Sequence, residues 1–248
     1  SNYFSHTFKL NFLMNLLKWL NKHGQKIFNL YSNVKIATSK DAAIWMFNTI
    51  NKVHIINNGI RISKFRYDSI YRNELRKKYG VKKNEKLMQL RKNPIFALRI
   101  FYKFHLKNPN SKFVMIGKGP IKDEVIERIK QYNLKNKVIL IDYSSKTNKW
   151  YSAMDALVFP SRYEGFGLVP LEAQVSNLPV LASNNVPETV FVTQSIRKES
   201  LNNTVDDWVI ELENMLNNEN NRCYINKKIL NFDAKIQAEK IKNVLKQE

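Results

Sequence analysis

The sequence predicts an α/β fold, a Rossmann-like doubly wound parallel sheet covered by helices, with a shorter segment in front of it. Three observations predict it. From Tyr67 onward, short apolar runs alternate with stretches of helical periodicity, the pattern of parallel strands joined by crossover helices. Residues 158–174 read as a buried strand, a glycine-punctuated turn and a helix. A hydrophobic content of 44% over 248 residues provides a sizeable core, for one large domain or two small ones.

The chain opens at Ser1-Asn2-Tyr3, without Met or a signal-peptide pattern, and so reads as cut from a longer protein. Over residues 8–22, Asn11, Asn15, Lys18 and Lys22 form a narrow polar wedge on a helical wheel. Leu10, Phe12, Leu13, Leu16, Leu17, Trp19 and Leu20 fill the rest. Such a wide apolar arc needs cover, either by packing inside a domain or by lying on an anionic membrane beside its lysines. A strand at 34–37, a helix at 40–47 and a strand at 53–56 follow, then a turn at Asn57-Asn58-Gly59.

In the main body a helix at 69–79 stops at Gly80. Strands are expected at 86–90, 112–116, 138–141, 156–159 and 179–182, with helices at 94–106, 121–132, 147–154 and 167–176 between them. After Val190 the periodicity is helical, at 205–216, 221–230 and 234–245. Trp208, Val209, Leu212 and Leu216 form a core stripe. If these strands wind in Rossmann order, the first and fourth lie side by side where the order reverses, and the crevice at their carboxyl ends is the ligand site.

Two loops far apart in sequence then converge on that crevice. After the first strand comes Arg91-Lys92-Asn93-Pro94, where Asn93-Pro94 alone would be an ordinary helix start, cap followed by proline. After the fourth comes the loop carrying Glu164. On the helix from Gly167, Leu168, Leu171 and Val175 form an apolar stripe, and Glu172 falls within it. A carboxylate on a core-facing side wants a partner, so Glu172 lines a polar cleft that holds a ligand; the alternatives are a solvated surface Glu or an internal salt bridge. Glu164 is also a residue favoured beside the positive end of a helix. The Gly117-Lys118-Gly119-Pro120 turn is by itself a tight strand-to-helix connection. Asp155 reads as structural, at the start of the fourth strand.

Composition limits the remaining classes. Lys+Arg 41 against Asp+Glu 21 gives +20, a field that favours polyanions. The basic residues are dispersed and no basic-aromatic reading array is present, which argues against a specific nucleic-acid partner. Cys223 is the single cysteine, so no internal disulfide or cysteine metal cluster can form. No run of about eighteen apolar residues occurs, and no transmembrane helix is expected.

Glu164, seven intervening residues and Glu172, set in Pro160-Ser161, Glu164-Gly165-Phe166-Gly167 and Glu172-Ala173, resemble the E-x7-E signature of retaining GT-B glycosyltransferases of family 4. The resemblance implies that Glu164 contacts the donor sugar and its phosphates, that Glu172 holds the ribose hydroxyls, and that the backbone amides of Gly165, Phe166, Gly167 and Leu168 face the diphosphate. Those roles suit the chemistry: a ribose diol offers two O–H donors to one carboxylate, and a helix N-terminus presents N–H groups to an anion. Lys92 matches the family's lysine that pairs with the diphosphate, and Gly117 and Gly119 match its G-x-G-P loop beside the donor pocket. The loop after the first strand is shorter than the family's and lacks its Gly-Arg pair, so a two-cation clamp requires Arg91 to take the arginine's place.

The resemblance covers most of the chain from Ala37 to Ala182. It implies a remnant of an N-terminal acceptor-side domain (1–60), a nucleotide-sugar-binding Rossmann-like domain (61–232) and a C-terminal helix (233–248). It implies hexosyl transfer from a nucleotide sugar, a UDP-sugar, to a saccharide or polyprenyl-linked acceptor, with retention, without a cofactor or metal, in cell-surface polysaccharide synthesis. The expected place is the cytoplasm or the inner face of the membrane. Left open are a nucleotide-sugar-binding module without turnover and a split enzyme whose partner chain supplies the acceptor half. Glycoside hydrolysis needs opposed carboxyls across a sugar, and nothing else in the sequence supports it.

Overall fold

The computed structural model describes residues 19–20, 22–218 and 221–246. Most of the amphipathic helix expected at 8–22 lies outside the described residues. The chain divides into two compact units, one of residues 1–58 with 235–248 and the other of residues 59–234.

In the first unit, a helix over 22–31 (α1) precedes two short parallel strands, Ile36–Ala37 (β1) and His54–Ile55 (β2), joined through Lys40–Phe47 (α2). Ser39 caps α2 by accepting from Ala42 N at 3.0 Å, and Asn48 closes it in the left-handed conformation that asparagine tolerates. Residues 235–246 of the last helix, Ala234–Lys246, group with this unit.

The second unit is built on six parallel strands in the order β5-β4-β3-β6-β7-β8, namely Lys86–Leu90 (β3), Ser111–Ile116 (β4), Val138–Ile141 (β5), Ala156–Phe159 (β6), Val180–Ser183 (β7) and Ile196–Glu199 (β8). The first and fourth of these strands are neighbours, in register Leu90↔Val158. Both faces are covered, so the central strands are largely apolar, and their side chains alternate between two cores. Leu157 and Phe159 point into one core with Leu87, Val180 and Ala182; Ala156 and Val158 point into the other with Met88 and Leu181. The first core is closed by the helices Thr147–Ala153 (α7) and Leu168–Val175 (α8), the second by Pro94–Lys107 (α5) and Val205–Asn217 (α9). Trp208 is fully buried there and donates from its indole N–H to Ser200 O at 2.8 Å.

Asp155 is structural. Its carboxylate accepts from Leu87 N at 2.7 Å and pairs with Arg72 at 2.6 Å and Arg76 at 3.0 Å. It ties the starts of β3 and β6 to the helix Ser69–Lys78 (α4).

Three expectations are corrected. The strand β8 was not expected, because Ile196-Arg197-Lys198-Glu199 has two consecutive exposed basic residues, allowed where a strand lies at the edge of the sheet. The helix at 221–230 is only Lys227–Leu230 (α10): Asn221 Oδ1 accepts from Cys223 N at 3.0 Å, a local bond that competes with a helix, and Asn226 caps the later start by accepting from Lys228 N at 2.9 Å. Leu168 does not continue the stripe of Leu171 and Val175; those two are buried, whereas Leu168 is 40% exposed in the first turn of α8.

Among the described residues, no helix is long and apolar enough to cross a membrane.

Candidate functional site

At the β3/β6 pair the sheet order reverses, so the loops leaving the two strands diverge and open a crevice. Arg91 N still bonds Val158 O at 3.3 Å; then the chain turns sharply. Lys92 and Asn93 are both left-handed, with φ of 73° and 43°. Asparagine accepts this readily, whereas lysine seldom does, and the strain is of order 1 kcal/mol. Asn93 makes no side-chain cap bond to α5, so this is not the ordinary cap the dipeptide suggested; Pro94 spares the first turn one N–H. The turn carries Lys92 towards the β6 loop, where its Nζ stands 3.7 Å from Glu164 Oε2.

The β6 loop is braced from beneath. Buried Ser161 accepts from Ser183 Oγ at its carbonyl, 2.6 Å, and its own hydroxyl stands 2.9 Å from Tyr163 O and 3.3 Å from Glu164 Oε2. Gly167 then adopts φ 97°, and a Cβ there would lie 3.2 Å from Val186 Cγ1, so both backbone and space demand glycine. Leu168 opens α8, whose first-turn amides precede the first intrahelical bond and face the loop end of the strand layer. The side chain of Phe166 is buried, which leaves its backbone for any ligand.

Glu172, in the second turn of α8, is half-buried. Tyr151 of α7 donates its hydroxyl to Glu172 Oε2 at 2.8 Å. Burial pushes the Glu172 carboxyl above the ordinary glutamate range, against the Tyr151 hydrogen bond and the charges of Arg91 and Lys64, which pull it down. Arg91 thus acts on Glu172, while its neighbour Lys92 pairs with Glu164.

A cavity of about 480 Å³, well within the range of ligand pockets, lies over the carboxyl ends of β3, β4 and β5 and is lined by Arg91, Lys92, Gly117, Gly119 and Asp142 among others. Asp142 on its wall bonds Lys122 at 2.6 Å and has Lys118 at 3.8 Å. The hydrogen bond from Lys122 holds that carboxyl below the usual aspartate range. A second cavity, of about 550 Å³, is lined by Lys92, Ser161, Arg162 and Tyr163. Lys92 lines both. Glu164 and Glu172 line neither, and approach them through Lys92 and through the field of Arg91. Among the described residues, no group of three or more His, Cys, Asp or Glu side chains could hold a metal ion.

Residues 70–231 match the family model described as glycosyl transferases group 1. The chain belongs to that family. This group 1 chain is 28% identical over 185 residues to EpsF of Bacillus subtilis (strain 168), named as a glycosyltransferase, covering 69% of the chain and 48% of EpsF. It is 30% identical over 144 residues to the UDP-Gal:alpha-D-GlcNAc-diphosphoundecaprenol alpha-1,3-galactosyltransferase of Escherichia coli, covering 54% of the chain and 37% of that enzyme. The chain therefore spans about half or less of the length of these relatives. Its fold is similar to that of Anabaena Alr3699/HepE, solved in complex with UDP and glucose, with TM-score 0.74 at 17% identity, over 90% of this chain and 65% of that one.

Sequence reasoning missed Tyr151 and Lys64 in this group 1 site, and placed Ser161 in the motif without giving it a role. Tyr151 stands in Thr147-Asn148-Lys149-Trp150-Tyr151-Ser152-Ala153, a mixed helix in which nothing singles it out. Lys64 sits on a four-residue helix, Ile62–Phe65 (α3), with no pattern to mark it.

Proposed function

We propose that this chain is the donor-nucleotide half of a retaining, family-4-like GT-B glycosyltransferase that takes a hexosyl group from a UDP-sugar. The observation that carries the reading is the pairing of Lys92 with Glu164 across the β3/β6 crevice: a cation and a carboxylate from distant loops meet beside a cavity of nucleotide size. Support comes from HepE, whose complex holds UDP and glucose, and from the E. coli relative, which is named for a UDP-Gal donor and a diphosphoundecaprenol-linked acceptor.

In this reading the base occupies the cavity by Gly117, Gly119 and Asp142, and the ribose lies outside it, beyond Arg91, where Glu172 accepts from the diol. The diphosphate lies between Lys92, Arg91 and the backbone amides from Gly165 to Leu168 that lead into α8. The sugar's bond to the diphosphate breaks, the diphosphate leaves with the electron pair, and a bond forms to the acceptor hydroxyl, whose proton departs with UDP. Lys92 and the helix amides stabilise the charge that grows on the leaving group, and Glu164 orients the sugar. The chemistry asks for no metal or cofactor. The acceptor is a saccharide or a lipid-linked saccharide of a cell-surface polysaccharide, met at the inner face of the membrane.

Isothermal titration with uridine, UDP and UDP-glucose tests the donor site. UDP should bind at least tenfold more tightly than uridine, and equal affinities would remove the diphosphate subsite. A UDP-release assay with the same protein separates transfer from binding: UDP bound without release identifies a binding module.

A further inference from the structure

Tyr151 has a role that the donor site, as described so far, does not include. Its ring is 1% exposed, packed beside Phe65 with ring centroids 5.9 Å apart, and the hydroxyl is its single polar group. That hydroxyl is spent on Glu172 Oε2, 2.8 Å away. Among the described residues, no other side chain donates a hydrogen bond to this carboxylate. Oε1 therefore has no side-chain donor among the described residues.

The backbones bearing the pair are joined a second time. Half-buried Arg222 donates from Nη2 to Tyr151 O at 2.6 Å, from Nη1 to Met154 O at 2.8 Å and from Nε to Ser176 O at 2.8 Å. Met154 and Ser176 follow directly on α7 and α8, so one guanidinium pins the carboxyl ends of both helices. The side-chain bond and the guanidinium clamp together fix where Glu172 points, the condition for a carboxylate to discriminate by hydrogen-bond geometry.

We propose that Tyr151 is a positioning residue for nucleotide recognition, whose hydroxyl holds Glu172 Oε2 so that Oε1 meets the ribose diol, giving the site its preference for ribonucleotides over nucleotides lacking that diol. The inference rests on the ribose role of Glu172 given above. Burial first, then the charge and hydrogen bond of Glu172, push the Tyr151 phenol well above its ordinary range, so it remains a donor at every working pH. The groups facing Glu172 are Tyr151 from α7, Arg91 from the β3 loop and Lys64 from α3. Loss of the Tyr151 hydrogen bond removes one pull towards ionisation and raises the carboxyl further.

The test measures Kd for UDP and for 2′,3′-dideoxyuridine diphosphate on the whole chain. Wild type should favour UDP by about tenfold or more, the scale of a charged hydrogen bond. In Tyr151→Phe the ratio should fall several-fold towards one through weaker UDP binding, while the dideoxy ligand binds as before. The pH midpoint of UDP binding should also move upward. An unchanged ratio, or equal weakening for both ligands, overturns the positioning role and leaves Tyr151 a packing residue. Should Tyr151→Phe not fold, 3-fluorotyrosine at position 151 keeps the shape and sharpens the donor; it should alter the ratio without altering dideoxy binding, and a constant ratio counts against the proposal. Glu172→Gln separates the two layers. If it leaves the ratio at the wild-type value, the ribose role of Glu172 itself fails; if it collapses the ratio and Tyr151→Phe does not, only the inference about Tyr151 fails.

Discussion

Lys92 Nζ stands 3.7 Å from Glu164 Oε2, so residues 72 positions apart in sequence meet across the one place where the sheet order reverses. Lys92 is 48% exposed and Glu164 17%, and an ion pair so open to water contributes less than about 1 kcal/mol. In the proposed reading a diphosphate displaces it at little cost, because the pair contributes little to the fold.

Glu164 should therefore matter to the sugar more than to the nucleotide. Glu164→Ala is expected to weaken UDP-glucose binding about tenfold and to change UDP binding by less than threefold, or even to strengthen it by removing a nearby negative charge. Titration of the variant with both ligands checks this. Equal effects on the two would contradict the sugar-orienting role.

Asp155 should control stability and not binding. Burial alone would raise its carboxyl, but Arg72, the Leu87 amide and Arg76 outweigh that and hold it below the ordinary aspartate range. A depressed folded-state pKa contributes stability that is present above the unfolded value near 4 and is lost as pH falls through the folded value. Asp155→Ala leaves Arg72 and buried Arg76 without their carboxylate and should cost about 3–5 kcal/mol in urea unfolding at pH 7. The deficit should shrink at pH 3. A variant within 1 kcal/mol of wild type at pH 7 would show the network to be dispensable.

Glu172 should show the opposite sign. Its carboxyl is raised by burial, so the unfolded chain ionises first and stability falls as pH rises through the window above the unfolded value. Glu172→Gln should equal or exceed wild-type stability at pH 8, by up to about 1 kcal/mol, with the difference vanishing at pH 3. Thermal unfolding at the two pH values decides; a variant markedly less stable at pH 8 would make Glu172 a structural residue.

Gly167→Ala should cost about 1–2 kcal/mol, because a side chain is strained at φ 97° and would press on Val186. The same change tilts the first turn of α8, so UDP binding should weaken too. Unaltered UDP affinity in a destabilised variant would place the diphosphate away from these amides.

Much of the architecture was legible because the central strands are buried on both faces. Ala156-Leu157-Val158-Phe159 must be apolar throughout and stands out against amphipathic neighbours. Edge strand β8 meets no such demand: its Arg197 and Lys198 are solvated, and its sequence looks like a loop. The meeting of Lys92 with Glu164 followed from strand order alone, since the two loops had to emerge side by side. The left-handed backbone at Lys92 was not legible, because no glycine marks it; the conformation is imposed by the short connection between Arg91, still in the ladder, and Pro94. Tyr151 and Arg222 were hidden for another reason. Their polar atoms serve partners remote in sequence, which no local pattern encodes.

The central claim is that the β3/β6 crevice receives a diphosphate at Lys92. The most direct measurement is the Kd of UDP, beside that of uridine, for the wild-type chain and for Lys92→Ala. The account predicts at least tenfold weaker UDP binding in the variant, as expected for a lost charged contact, with uridine unaffected. The same Kd for UDP in both proteins would contradict it.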